Sequence, residues 1–307
     1  MSWLILVILA TVLDAARIFI DNYSSDYYFK GRDSVSQKLF YGYAWIITVL
    51  PIIFFFWGEV SSTPIVAVLL LIFAGMLHGL SGVPYFKALE IDDSTNMGIF
   101  IQLAPVLYLV LGWIFLGESV NLLQLVAIFI ILLAPILIVI TARKRSRKIR
   151  MRAVLLSVLY VLIAVISNLI FVHVDAGNLN IIPKVSLVLL GKGISNLIIV
   201  YARPKWRRRF LTVLKSSHYK VLRPMIANHI IGTTKEFVYR AALIAAPAVA
   251  IASAASDSVL PVVIFFMGIV LTLIWPKFGR EKLNRKNVLV HLLATVLVVI
   301  GIVLLQF

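Results

Sequence analysis

The sequence contains no cysteine. Disulfides, thiolate metal sites and cysteine nucleophiles are therefore excluded. Charge is scarce as well. Asp, Glu, Lys and Arg make up 14% of the residues, against about a quarter in a soluble domain. A soluble fold of 307 residues could not cover its surface with so few polar groups. Catalytic signatures are missing too. There is no H-E-x-x-H metal helix, no Gly-x-Ser-x-Gly turn, no aspartate cluster of the prenyl type and no glycine loop ending in Gly-Lys-Ser/Thr. The expectation is a protein that is not an enzyme, uses no metal or organic cofactor and does not hydrolyse ATP.

What the chain has in abundance is apolar sequence: 62% of its residues are apolar, and its mean hydropathy is +1.02. A spanning helix needs about 20 mostly apolar residues. Uncharged runs that meet or approach this length are 39–58, 60–86, 94–117, 119–142, 153–174, 258–276 and 287–307. Three further runs carry charges inside the span: 2–19, 181–202 and 224–245. The ninth helix is expected to begin ahead of Asp257, near Val249, where small residues cluster. The predicted fold class is all-α: a polytopic integral membrane protein of ten transmembrane helices. The first 12 residues lack a basic segment and Asp14 interrupts the apolar run, so this stretch reads as a retained helix and not as a signal peptide.

The basic residues support the count. Numbering loops by the helices they join, 24 of the 29 Lys and Arg residues fall in loops 1–2, 3–4, 5–6, 7–8 and 9–10. Lys38 is counted in the first of these. The alternate loops have none, and five basic residues lie within spans. Lys and Arg accumulate in cytoplasmic loops, so the basic side is placed in the cytoplasm and both termini outside. The net charge of +16 is thereby read as topology. Anionic lipids at the basic loops are an added partner, and nucleic acid is not expected.

The two halves echo each other. Val83-Pro84-Tyr85-Phe86-Lys87-Ala88-Leu89 has a counterpart in Phe237-Val238-Tyr239-Arg240-Ala241-Ala242. Each is followed by an inner proline, Pro105 and Pro261, then by a glycine and a glutamate, Gly117-Glu118 and Gly279-Arg280-Glu281. Five helices is an odd number, so the second copy must lie inverted in the membrane, as in many secondary transporters. The division is 1–142 for the first five-helix repeat, 143–152 for a basic cytoplasmic linker and 153–307 for the second repeat.

The stretch from Tyr85 to Ile140 carries an aromatic-x-x-Ala-Leu pattern, a helix with Leu-x-Pro, a Leu-Gly-Glu turn and a final apolar helix. In this it resembles the EamA-type transporters of the drug/metabolite transporter superfamily, over roughly 40–140 and more loosely over 225–305. The resemblance implies ten helices, export or exchange of small metabolites, and no use of ATP; the expected location is the plasma membrane.

Ionisable groups within a membrane are costly and are functional candidates by default. Asp14, Arg17 and Asp21 share one face of helix one. Asp14 is open to two readings, a proton or substrate ligand or half of a neutralised pair with Arg17. Asp21 reads as snorkelling to the interface. In helix eight, Glu236 and Arg240 are spaced to satisfy each other, while Lys235 points about 100° away and needs another partner: Asp257, Asp14 or an anionic substrate. Lys192 lies in Gly191-Lys192-Gly193, whose small neighbours suggest room for a ligand; a structural ion pair is the other reading. His78, Gln102 and Asn168 are further pathway candidates, as are Ser167, Asn196 and Asn228, although interhelical hydrogen bonding accounts for most such residues. The function expected is a secondary transporter of a small polar metabolite, driven by an ion gradient through alternating access. The alternative is a flippase for a lipid-linked or polyisoprenoid phosphate. A homodimer is an expected assembly.

Overall fold

The computed structural model describes residues 2–29, 34–91, 104–117, 121–143, 151–177, 179–274 and 285–304. Among these residues there is no strand. The helices are α1 Ser2–Ser24, α2 Lys38–Phe55, α3 Trp57–Ser62, α4 Ile65–Ile91, α5 Ala104–Leu116, α6 Leu122–Arg143, α7 Met151–His173, α8 Ile181–Tyr201, α9 Pro204–Ser216, α10 Leu222–Ala245, α11 Val249–Ile274 and α12 Arg285–Leu304. A helix lies over each of the ten apolar segments, and α11 begins at Val249. Six of them, α1, α2, α4, α7, α8 and α11, are long and apolar enough to cross a membrane by length and composition. The chain is an all-α polytopic membrane protein.

The outside of the bundle is apolar. Phe54 and Phe55 are 81% and 82% exposed, and Leu122, Leu273 and Ile274 are open as well. Such a surface is stable only against lipid. The inside is built from small residues. Ala248 through Ala255 are all buried, which lets α11 sit close to its neighbours.

Glycine sets the closest seams. A Cβ at Gly75 of α4 would lie 1.8 Å from the Val188 carbonyl oxygen, and one at Gly191 of α8 would lie 1.9 Å from that of Ile72. Backbone meets backbone there. Gly42 of α2 and Gly193 of α8 form a second such contact, each Cβ position within 3.2 Å of the other's carbonyl oxygen. The room beside Lys192 that its glycines suggested is therefore filled by α4 and α2. The missing side chains serve helix packing, not a ligand.

Helices pair across the two halves. α4 packs on α7 and α1 on α10; α1 meets α11 and α5 meets α7; α2 meets α8, α5 meets α11 and α6 meets α12.

Two parts of the basic loops differ from expectation. Lys38 is not a loop residue. It is the first residue of α2, only 5% exposed, so it leaves the cytoplasmic tally. The stretch between α8 and α10 contains α9, which turns Trp206, Phe210 and Val213 onto the protein. Their i, i+4, i+7 spacing puts them on one face, and the basic residues take the other. Pro105 is the second described residue of α5. Residues 92–103, which include Gln102, lie outside the described part of the chain.

Candidate functional site

A cavity of about 230 Å³ opens between α1, α2, α4, α5, α7, α8, α10 and α11. Asp14, Arg17, His78, Asn168, Lys192, Lys235, Glu236 and Asp257 all line it. Of the residues singled out from the sequence as pathway candidates, only Gln102 has no described position.

The α1 face supplies the first cluster. Arg17 Nε lies 2.9 Å from Asp14 Oδ1, and its Nη1 lies 3.7 Å from Asp21 Oδ2. α10 completes the pairing. Lys235 Nζ is 3.8 Å from Asp14 Oδ1, and Asn228 Nδ2 donates to Asp21 Oδ1 at 2.7 Å and to the Tyr41 hydroxyl at 2.7 Å. Two carboxylates thus face two cations. Of the two carboxylates open to Lys235, Asp14 is the one within 4.0 Å. Asp21 does not snorkel to the interface. It is held inside, because Asn228 and Arg17 give it donors that replace water.

Glu236 organises the second cluster. Its Oε1 lies 2.8 Å from Lys192 Nζ and 3.5 Å from His78 Nε2, while Oε2 lies 3.4 Å from Arg240 Nε. Lys192 Nζ also sits 4.9 Å from the centre of the Trp45 ring. Arg240 is fully buried, with its guanidinium 4.7 Å from the centre of the Phe171 ring. One carboxylate therefore joins α10 to α8 and α4. Pairing of this kind offsets the cost of burying charge.

Two charged groups stand apart. Lys38 Nζ donates to the Gly79 carbonyl at 2.7 Å and to Asn196 Oδ1 at 2.8 Å. Asp257 Oδ2 accepts from Ser253 Oγ at 3.0 Å. Neither has an oppositely charged group within 4.0 Å among the described residues. Lys38 is the charged cavity-lining residue that sequence reasoning missed, because it follows a polar stretch and reads as one more loop base.

Neutral groups finish the wall. Asn168 Nδ2 donates to the Tyr108 hydroxyl at 2.6 Å, and Thr48 Oγ1 lies 2.9 Å from His229 Nε2. Tyr41, Tyr85, Tyr160 and Tyr239 present aromatic faces and hydroxyls. The arrangement suits reversible binding of a polar small molecule. Among the described residues no group of three or more His, Asp or Glu side chains could hold a metal ion.

Residues 1–140 match the model of the EamA-like transporter family. The first part of this chain is thus similar to EamA-like transporters, which belong to the drug/metabolite transporter superfamily. One solved crystal structure of a protein is similar over 99% of this chain and 96% of that one, with a TM-score of 0.60 at 13% sequence identity. That likeness is one of fold. No curated protein matches the chain.

Proposed function

We propose that the chain is a secondary transporter, an exporter or exchanger of a small polar metabolite in the plasma membrane. It works by alternating access and is driven by an ion gradient. The observation that carries this reading is the charged cavity. It gathers four basic and four acidic side chains inside an otherwise apolar bundle, where each would cost at least about 2.5 kcal/mol against lipid. The chemistry gathered there fits recognition and release. The pairing of α4 with α7 and of α1 with α10 supports two inverted five-helix repeats, 1–142 and 153–307, with ten helices crossing the membrane. Inverted halves rocking about a midplane site are a known route to alternating access. The absence of an ATP-type glycine loop from the sequence supports gradient coupling. Anionic lipid headgroups are proposed against the exposed basic face of α9, at Arg207 and Arg208.

The test is uptake and efflux of a metabolite panel in proteoliposomes, with and without a pH or sodium gradient and without ATP. Gradient-dependent movement of at least one metabolite is expected. Movement that needs ATP, or none of any metabolite in either direction, overturns the reading.

A further inference from the structure

Most of the charge lining the cavity cancels locally. Asp14 and Asp21 face Arg17 and Lys235, and Glu236 faces Lys192. Lys38 is left over. It is buried, yet its two acceptors are a backbone carbonyl and a side-chain amide oxygen, both neutral. An ammonium has three N–H donors, so one is unclaimed by any described residue. Asp257, the other unpaired charge, does not lie within ion-pair distance of it.

The surroundings of Lys38 are built around its ammonium. A Cβ at Gly82 would lie 2.6 Å from Lys38 Nζ, so the absence of a side chain there creates the space. Gly79 offers its carbonyl one turn earlier on α4, and Asn196 reaches in from α8. Three helices thus converge to fix one cation at the cavity wall. A buried cation with no counter-ion is costly. If Lys38 were only a staple between helices, an amide or hydroxyl would make the same bonds at less cost. An incoming anion repays the cost by supplying the missing charge and accepting the third N–H, and charge-assisted bonds of this kind are short and strong.

We propose that Lys38 is the anion-recognising end of the transport cavity, and that the transported molecule carries a carboxylate or a phosphate group bound by its ammonium. This rests on the cavity being the substrate site, but its test needs no transport. The parent protein would be placed in phosphatidylcholine nanodiscs. Thermal unfolding would be followed with inorganic phosphate, acetate and citrate, each against sodium chloride at equal ionic strength, with methylammonium chloride as the cationic control. At least one of the three anions is expected to raise the unfolding midpoint, and methylammonium is not. Lys38→Gln should weaken the apparent affinity about tenfold or more, the size expected for a lost bond to a charged group, while Lys38→Arg keeps part of the effect. Gly82→Ala displaces only the flexible end of Lys38. It should fold and also lose affinity, which serves if Lys38→Gln does not fold. A second arm in phosphatidylglycerol discs separates a lipid headgroup from a soluble anion: the soluble anion should still add its shift. Stabilisation by none of the three anions, an unchanged response in both Lys38→Gln and Gly82→Ala, or a response to phosphatidylglycerol alone would overturn the proposal. If the anion response appears while proteoliposomes move no metabolite, the anion site stands and the transport reading fails.

Discussion

Glu236 Oε1 lies 2.8 Å from Lys192 Nζ, the shortest ion pair in the cavity among the described residues, and the same carboxylate serves His78 and Arg240. Removing it leaves two buried cations unopposed. Glu236→Gln is expected to destabilise the protein by about 3–5 kcal/mol, read as a lower unfolding midpoint in detergent. The double variant Glu236→Gln/Lys192→Met should recover part of that loss, because one stranded charge goes with the carboxylate. A single variant as stable as the parent would remove the structural role given to Glu236.

Lys235 and Asp14 test the cavity as a substrate site. Arg17 still holds Asp14 when Lys235 is lost, so Lys235→Met should insert and unfold close to the parent while transport falls. Asp14→Asn should behave similarly, and the manner of its failure is informative: a flattened dependence on external pH marks Asp14 as the proton carrier, and weaker affinity alone marks it as a substrate contact. Well-folded variants of both residues that transport at the parent rate would contradict a shared site.

Glycine contacts give a stability prediction independent of transport. Gly75→Ala and Gly191→Ala each put a Cβ within 2 Å of a carbonyl oxygen on the facing helix. Backbone cannot yield as a side chain can, so each should cost about 1–3 kcal/mol as overpacking. Gly58→Ala meets nothing within 4 Å and should leave the unfolding midpoint unchanged. The comparison fails if all three variants unfold alike.

Orientation can be read chemically, because a chain with no cysteine carries no background thiol. Ser61 of α3 and Ser216 of α9 are both exposed and lie in short helices that join spans on opposite sides of the proposed topology. A membrane-impermeant maleimide should label Ser61→Cys in intact cells and Ser216→Cys only after permeabilisation. In agreement, alkaline phosphatase fused after Phe307 should be active and a fluorescent protein there dark. The reverse labelling pattern would invert the chain in the membrane.

The helices were legible because a spanning helix needs a long apolar run, and each charge within such a run stands out. This is how Asp14, Lys192, Lys235 and Glu236 were found before any geometry. Lys38 was hidden at a helix start, close in sequence to Lys30 and Arg32, and its partners, a carbonyl of α4 and an amide of α8, are 41 and 158 residues away. Gly191 and Gly193 were visible but misread. Small residues give room, and sequence alone does not say whether a ligand or a neighbouring helix takes it. α9 was missed for another reason. Trp206, Phe210 and Val213 have helical spacing, but the basic residues between them draw attention to charge and away from period.

The glycine seams limit how this molecule can move. Where α4 touches α8 backbone to backbone, and α2 touches α8 in the same way, no slack remains for one helix to slide along the other. α2, α4 and α8 form a single slab. Glu236 is then a latch, reaching from α10 to Lys192 and His78 on that slab, and any motion that parts α10 from it must first unfasten that carboxylate.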